Sequence, residues 1–445
     1  MPRSLASLGP LVLALALPPL FVHVDYQPGV GFHAGSTEVH VFLSDFAVLA
    51  AGLAALAAGL RGGFAPLRRG VPVWLAAAGL LVLIAAATFY PLLRDGSYSW
   101  RTHLVTAGKF GEYAVLALAV PLLVRRRRDL SLMLLSLTAI SVAATTVGVA
   151  QFFGWGWSGA WPAGRRQPSF VGHHDFAALS AVSLGIAVAA IAVPGWRINR
   201  LLAVVAGLAG TIGLVVSGST AGAAGLAAGA AGAVVVARGR GWVSGVRVAG
   251  LAAVVAVVAG GVVALRGNDF DQFIRFLGVR RETASSRQNV QTYAQHTLLA
   301  YIGWRIFLDH PALGAGWQAS GKEPSVYGRY LAAAHREFPE VSPLAFPSPQ
   351  RQYGVQNAFV QALADLGVVG FLLLVGVFAT GLMLAARTAL RATAEAAGAA
   401  VTAGVWLLGA AGALSAIGLV AGIPTDAVLW LALGLVAAVP LDEPA

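Results

Sequence analysis

Apolar residues run in nearly unbroken stretches along this chain, at 7–24, 41–60, 71–90, 103–124, 130–152, 175–193, 200–217, 219–237, 247–265, 356–385, 396–421 and 424–440. A helix rises about 1.5 Å per residue and needs about 20 residues to cross a hydrocarbon core of roughly 30 Å. Twelve such stretches predict about twelve transmembrane helices. The runs are continuous rather than alternating, which argues against a strand barrel. The first follows Met1-Pro2-Arg3 as a signal peptide would, but Pro18-Pro19 interrupts it and no small-residue cleavage site follows. A retained first span is expected. The turn at 217–221 is so short that spans seven and eight are expected to pair tightly. Gly225 and Gly229 form a small-xxx-small pair, whose ordinary meaning is close helix packing in lipid.

Composition agrees with the pattern. The chain is 58% hydrophobic and 11% charged, against about 45–50% and about 25% in soluble domains. Most of its surface must face something apolar. The formal charge of +11 would suit a nucleic-acid partner if it were concentrated, but it sits mostly in short loops between apolar runs. Fifteen arginines fall in one set of loops and four (Arg94, Arg101, Arg165, Arg166) in the opposite short loops. That bias predicts a cytoplasmic membrane protein with both termini cytoplasmic and residues 266–355 outside; the expected contacts are membrane lipids, not nucleic acid. No cysteine is present, which excludes disulfides and thiolate chemistry.

Three regions follow: helices one to nine over 1–265, an extracytoplasmic loop over 266–355, and helices ten to twelve over 356–445. A loop of 90 residues is expected to serve function. Within it, an amphipathic helix is predicted near 287–310, with Ala294, Leu298, Tyr301, Ile302 and Ile306 on one side. Its apolar part is too short to span, and Trp304 and Arg305 suit a headgroup depth, so the helix is expected to lie flat at the outer interface. Pro311 stops it, and Gly314 and Gly316 mark a turn. Pro339, Pro343, Pro347 and Pro349 point to a coiled collar. Ten basic residues against seven acidic ones give the loop a modest positive excess that orientation does not require. Guanidinium forks match phosphate oxygens in pairs, although any single arginine is more often an ordinary surface ion pair.

Three segments carry a family likeness. Tyr301 to Trp317 is a helix ending in Pro311-Ala-Leu-Gly314-Ala-Gly316. Gln356 to Gly370 reads Gln-Asn-Ala-Phe-Val-Gln-Ala-Leu-Ala-Asp-Leu-Gly-Val-Val-Gly. A weaker third segment is Arg165 to Asp175. Together with the twelve-span plan, they resemble the O-antigen ligase and O-antigen polymerase superfamily of integral membrane glycosyltransferases. The resemblance implies an all-α, GT-C-like polytopic fold with a partly helical outer loop between helices nine and ten. It implies transfer or polymerisation of a glycan from a polyprenyl-diphosphate donor to a hydroxyl on a glycan or lipid acceptor, without metal or other cofactor. Arginines would hold the diphosphate and a histidine would activate the hydroxyl. Two positions depart from the family. Gln356 stands where the family has histidine, and the region of Thr220 where it often has arginine. Those departures favour a divergent polymerase or transferase, or a different base.

Candidate residues follow from the same chemistry. A departing diphosphate needs positive charge near its oxygens, and Arg165, Arg166 and Arg287 are the first candidates, with Arg281 behind them. Arg165 and Arg166 have snorkelling at the interface as an equal explanation. An acceptor hydroxyl benefits from a base near neutral pKa. His335 and His174 are placed in that role and His296 is a third option, each against the commoner structural hydrogen bond. Gln356 and Asn357 would bind sugar hydroxyls or cap a helix. Lys109 and Glu112, three apart inside a span, are expected to neutralise each other. Asp365 is unpaired by sequence and is expected to orient an arginine. No nucleotide-binding glycine loop, zinc spacing, Ser-His-Asp order or Asp-x-Asp start is recognisable.

A transporter or flippase of lipid-linked or amphipathic solutes is the competing reading, but no half-to-half repeat is apparent. A structural membrane protein is a third; clustered arginines count weakly against it. Arg287→Ala is expected to abolish turnover of a polyprenyl-diphosphate glycan in nanodiscs while the protein still folds, with product mass as the measurement. Unchanged turnover would remove Arg287 from the site.

Overall fold

The computed structural model describes residues 8–34, 37–93, 96, 98–156, 160–276, 292–339, 341, 345–347, 354–419 and 424–438. Arg281 and Arg287 lie outside them. The helices are α1 (Leu8–Leu20), α2 (Leu43–Gly62), α3 (Val71–Phe89), α4 (Trp100–Leu123), α5 (Arg127–Phe152), α6 (His173–Ala192), α7 (Arg200–Ser217), α8 (Thr220–Gly239), α9 (Gly245–Phe276), α10 (Thr292–Asp309), α11 (Ala319–Lys322), α12 (Pro324–Glu337), α13 (Ala358–Arg391), α14 (Ala394–Leu414) and α15 (Pro424–Ala438). Ten helices among the described residues are long and apolar enough to cross a membrane. The expected first and last spans, α1 and α15, are apolar but only 13 and 15 residues long. The chain is an all-α polytopic membrane protein.

Its lipid-facing surface is visible in the packing. Leu49, Leu53, Leu56 and Leu60 form an exposed row along α2, and Leu201, Val204, Leu208 and Ile212 form another along α7. Apolar rows at helical spacing on an outer face are what a hydrocarbon solvent permits and water does not. The centre is built from α6, α14 and α15, whose alanines and glycines let backbones approach closely. Gly225 and Gly229 of α8 lie against Leu408 and Val405 of α14, the close packing their spacing suggests. Trp406 fits beside Gly185, and its indole N–H donates to the Val182 carbonyl at 2.7 Å.

Several elements differ from the expected layout. Helices α7 and α8 turn sharply at Gly218 but then diverge: α7 lies on α5 and α6, and α8 on α14 and α6. Helix α9 continues well past Leu265, because the pairs Arg266–Asp269 and Asp271–Arg275, both at 2.8 Å, sustain its polar end. A hairpin of β1 (Gly29–Ala34) and β2 (Thr37–Phe42) precedes α2, with Val30 opposite Val41 and Phe32 opposite Val39. Its alternation over six residues was the available signal. Lys109 binds Asp45 of α2 first and lies 3.8 Å from Glu112.

The largest departure is in α13. At 34 residues it is too long for one straight span, and it breaks at Gly367, where φ is 68° and ψ is −168°. The break frees carbonyls at 364 and 365 and amides at 368 and 369. The turn after α10 takes them up: Ala315 N–H donates to Ala364 O at 2.8 Å, Gly316 N–H to Asp365 O at 3.0 Å, and Val368 N–H to Pro311 O at 2.8 Å. Trp317 N–H continues the clasp to Ala87 O of α3 at 3.0 Å. Gly314 and Gly367 are required because a Cβ on either would collide with the opposing backbone. Gly367→Ala is expected to lower stability by at least the roughly 1–3 kcal/mol of a glycine-only conformation. Gly376→Ala in the same helix, where nothing lies within 4 Å, is expected to be tolerated. The apparent melting temperature of both variants in detergent checks this.

Candidate anion-binding site

The site begins with the loop at 160–172, which folds back into the bundle between α5 and α6. Buried glutamines hold it. Gln167 donates from its backbone N–H to Val216 O at 2.9 Å, accepts from Trp161 N–H at 3.0 Å, and donates from Nε2 to Pro162 O at 3.1 Å. Gln151 accepts from Ser169 N–H at 2.9 Å, and the Ser169 hydroxyl donates to Ala144 O at 2.6 Å. These bonds satisfy a buried loop that would otherwise carry orphaned peptide groups. They also aim Trp161. Its ring lies 4.1 Å from the Arg166 guanidinium carbon, and its centroid 4.1 Å from that of His173. Cation–π contact of this kind steadies a guanidinium without neutralising it.

A second guanidinium arrives from the polar end of α9. Arg266 is only 4% exposed. Its Nε donates to Asp269 at 2.8 Å, its Nη1 to Gly218 O at 3.2 Å, and its carbon sits 4.8 Å from the Tyr293 ring. Gly218 makes the meeting possible. A Cβ there would press on the Arg166 Cβ at 2.8 Å and touch the Arg266 side chain, and its φ of 60° suits glycine.

Two histidines complete the group. The rings of His174, from the first turn of α6, and His296, from α10, are 6.2 Å apart and near-perpendicular. The backbone of Gln356, just before α13, lies beside His296. Burial, and then the charges of Arg166 and Arg266, push the His296 imidazole down to about 4, so it is neutral at pH 7. Burial, and then Arg266, bring Arg166 down to about 10, still charged. Arg266 Nη2, Tyr293 OH and Nδ1 of both His173 and His174 are buried without a hydrogen-bond partner. Among the described residues the cluster holds two cations and one half-exposed carboxylate, Asp269, so it is short of negative charge, and Arg266 Nη2 is short of an acceptor. An oxygen-rich anion would supply both. No three His, Asp or Glu side chains among the described residues converge as metal ligands.

Arg166, His174 and Gln356, singled out from the sequence, therefore meet in one place. Arg165 is exposed beside them. His335 is exposed on α12 and stacks on Phe346 with centroids 3.7 Å apart, among none of these groups. Asn357 caps α13, accepting from Phe359 and Val360 N–H at 3.1 Å. Asp365 meets no arginine among the described residues; it accepts from Ser320 N–H at 2.8 Å and Gln361 Nε2 at 2.9 Å, tying the clasp to α13. Arg266, His173 and Tyr293 were not singled out by sequence. An arginine directly after an apolar run, three residues before an aspartate, was the signal for Arg266.

An imidazole near 6.5 unfolded and about 4 folded binds its proton first in the unfolded chain. The stability that neutral His296 contributes is complete above about 6.5 and is lost as pH falls towards about 4. The apparent melting temperature is expected to fall across that window, and to fall less in His296→Gln. Parallel slopes in the two proteins would contradict it.

Residues 202–375 match the family described as O-antigen ligase. No curated protein matches the chain. The matched stretch contains α7 to α10, the clasp, Arg266, His296 and the break at Gly367. Over that stretch the chain is similar to the O-antigen ligase family.

Proposed function

We propose that the protein transfers or polymerises a glycan from a polyprenyl-diphosphate donor onto a hydroxyl of a glycan or lipid acceptor. The reaction takes place at the outer face of the cytoplasmic membrane, without metal, in cell-surface polysaccharide biosynthesis. The carrying observation is the meeting of half-buried Arg166 and buried Arg266, whose Nη2 has no partner and whose guanidinium lies over Tyr293. A diphosphate fits that deficit in charge and in acceptors. As the sugar leaves, negative charge grows on the bridging oxygen, and fixed cations in a low-dielectric setting stabilise it without reorganising. The family match over residues 202–375 and the arginine bias of the loops support the same reading. Arg165, Arg281 and Arg287 would extend the positive path towards the lipid surface. Asn357 and Asp365 would act through the backbone they hold, and Gln356 would meet sugar hydroxyls. Arg266 also bears on the missing family arginine near Thr220. It reaches the Gly218 carbonyl from another helix and brings a guanidinium to the same turn.

The test is purified protein in nanodiscs with a polyprenyl-diphosphate glycan, followed by product mass. Arg266→Gln is expected to lower turnover on the order of 10²-fold or more while the protein remains folded. Arg266→Lys should recover little, because a point charge cannot replace the fork. Wild-type-like turnover in both variants would sink the assignment.

A further inference from the structure

We propose that the apolar face of the β1–β2 hairpin docks on the lipid of the outer leaflet, its side chains dipping to the boundary between headgroups and acyl chains. The inference goes beyond the glycan-transfer reading and does not depend on it. Arg61, Arg68 and Arg69 follow the far end of α2, which puts the hairpin, at the near end, on the outer side.

The register divides the hairpin into two unlike faces. Gly29 pairs with Phe42, Gly31 with His40 and His33 with Glu38, so these six share one face. Contacts along it agree: the His40 ring stacks on Phe42 with centroids 5.9 Å apart, and His40 Nε2 lies 3.1 Å from Glu38 Oε1. Phe42 turns this face towards the bundle, since its ring centre is 5.9 Å from Lys109 Nζ of α4. The other face therefore points away from the bundle. It carries Val30 opposite Val41 and Phe32 opposite Val39. Val30 is 69% exposed and Phe32 50%.

A two-stranded hairpin is marginal in water unless something covers its apolar side. The lipid-facing surface supplies the cover. The exposed row of α2 runs from Leu60 up through Leu49, Phe46 and Leu43, and Phe42 leads from β2 straight into that helix. The junction is stiff. Asp45 accepts from Phe42 N–H at 2.8 Å, Leu43 N–H donates to Pro28 O at 3.2 Å, and Ser44 N–H to Gln27 Oε1 at 2.9 Å. The hairpin thus extends an apolar surface already turned to hydrocarbon. Its depth is bounded as well. Open strand edges cannot enter the hydrocarbon with their peptide groups unpaired. They stay at headgroup level with exposed His33, Glu38 and His40, and only the apolar side chains dip, as an amphipathic element does when it buries roughly 5–10 Å into the boundary. Just before the hairpin, His23 N–H donates to Phe170 O at 2.9 Å. That bond ties the seat of the hairpin to the 160–172 loop, so docking sets the height of Arg166 relative to the headgroups.

The chain has no cysteine, so a nitroxide on a single introduced one reports one position. The test is the full chain in nanodiscs of phosphatidylethanolamine and phosphatidylglycerol, labelled at Val30→Cys, Phe32→Cys, Glu38→Cys or Leu53→Cys. Collision rates with oxygen, which concentrates in hydrocarbon, and with a water-soluble nickel complex are then measured. Val30 and Phe32 are at least half exposed, so the label displaces no packed core. The oxygen-to-nickel ratio at both is expected to exceed that at Glu38 several-fold and to lie below that at Leu53. A ratio at positions 30 and 32 equal to that at 38 would place the face in water and overturn the proposal. Labels at 30 and 32 shielded from both reagents would show that protein, such as a second copy of the chain, covers the face, and would overturn it too.

Discussion

A broken helix inside a membrane protein must hand its peptide groups to something other than lipid, and the break at Gly367 hands them to the turn at 311–316. Each unsatisfied amide or carbonyl would cost several kcal/mol in hydrocarbon. The bonds from Ala315, Gly316 and Val368 are therefore obligatory once α13 is broken. They fix the C-terminal end of α10 against the first turns of α13. Two glycines that cannot accept a Cβ make this contact close enough to work. The Pro-x-x-Gly-x-Gly and Asp-x-Gly segments are thus two halves of one joint, which explains why both must be intact for either to have a shape.

The arginine–histidine group has an opposite energetic character. The joint is satisfied; the group is not. Gathering Arg166 and Arg266 costs desolvation and repulsion, which contacts with Trp161, Tyr293 and Asp269 help to relieve. Buried polar atoms without partners are rare in native folds, and four of them near one point mark a place where a ligand completes the structure. Rigid support is what allows the fold to hold such a deficit. The loop at 160–172 supplies it through Gln151, Gln167 and Ser169, each at most 2% exposed.

The spans were legible because a hydrocarbon solvent imposes continuous apolar length, and α2 to α8 begin and end within a few residues of their runs. What lay beyond the runs was harder to read. The end of α9 is polar by composition and helical only because its charges pair along the helix. The Gly367 break hides inside an apolar stretch, since one glycine among alanines and valines has no signature until its partner turn is known. Helices α7 and α8 diverge because the glycine face of α8 prefers α14, a choice between surfaces that local spacing cannot express. Arg166, His174 and Gln356 were readable because polar side chains at the mouth of an apolar bundle are few. Arg266 was not, because it looks like the first residue of a loop, and its burial depends on Gly218, which is distant in sequence.

One departure from the family resemblance has a visible physical form. Near Thr220 the local side chain is not an arginine, yet Arg266 arrives from a neighbouring helix and donates to the carbonyl of Gly218. Backbone carbonyls persist through substitution, so they can anchor an incoming side chain whatever residue bears them. A site held together this way constrains the path of the chain more tightly than the identity of the residues along it. The satisfied joint at Gly367 fixes that path, and the unsatisfied cluster of arginines and histidines is what that fixed path presents to a ligand.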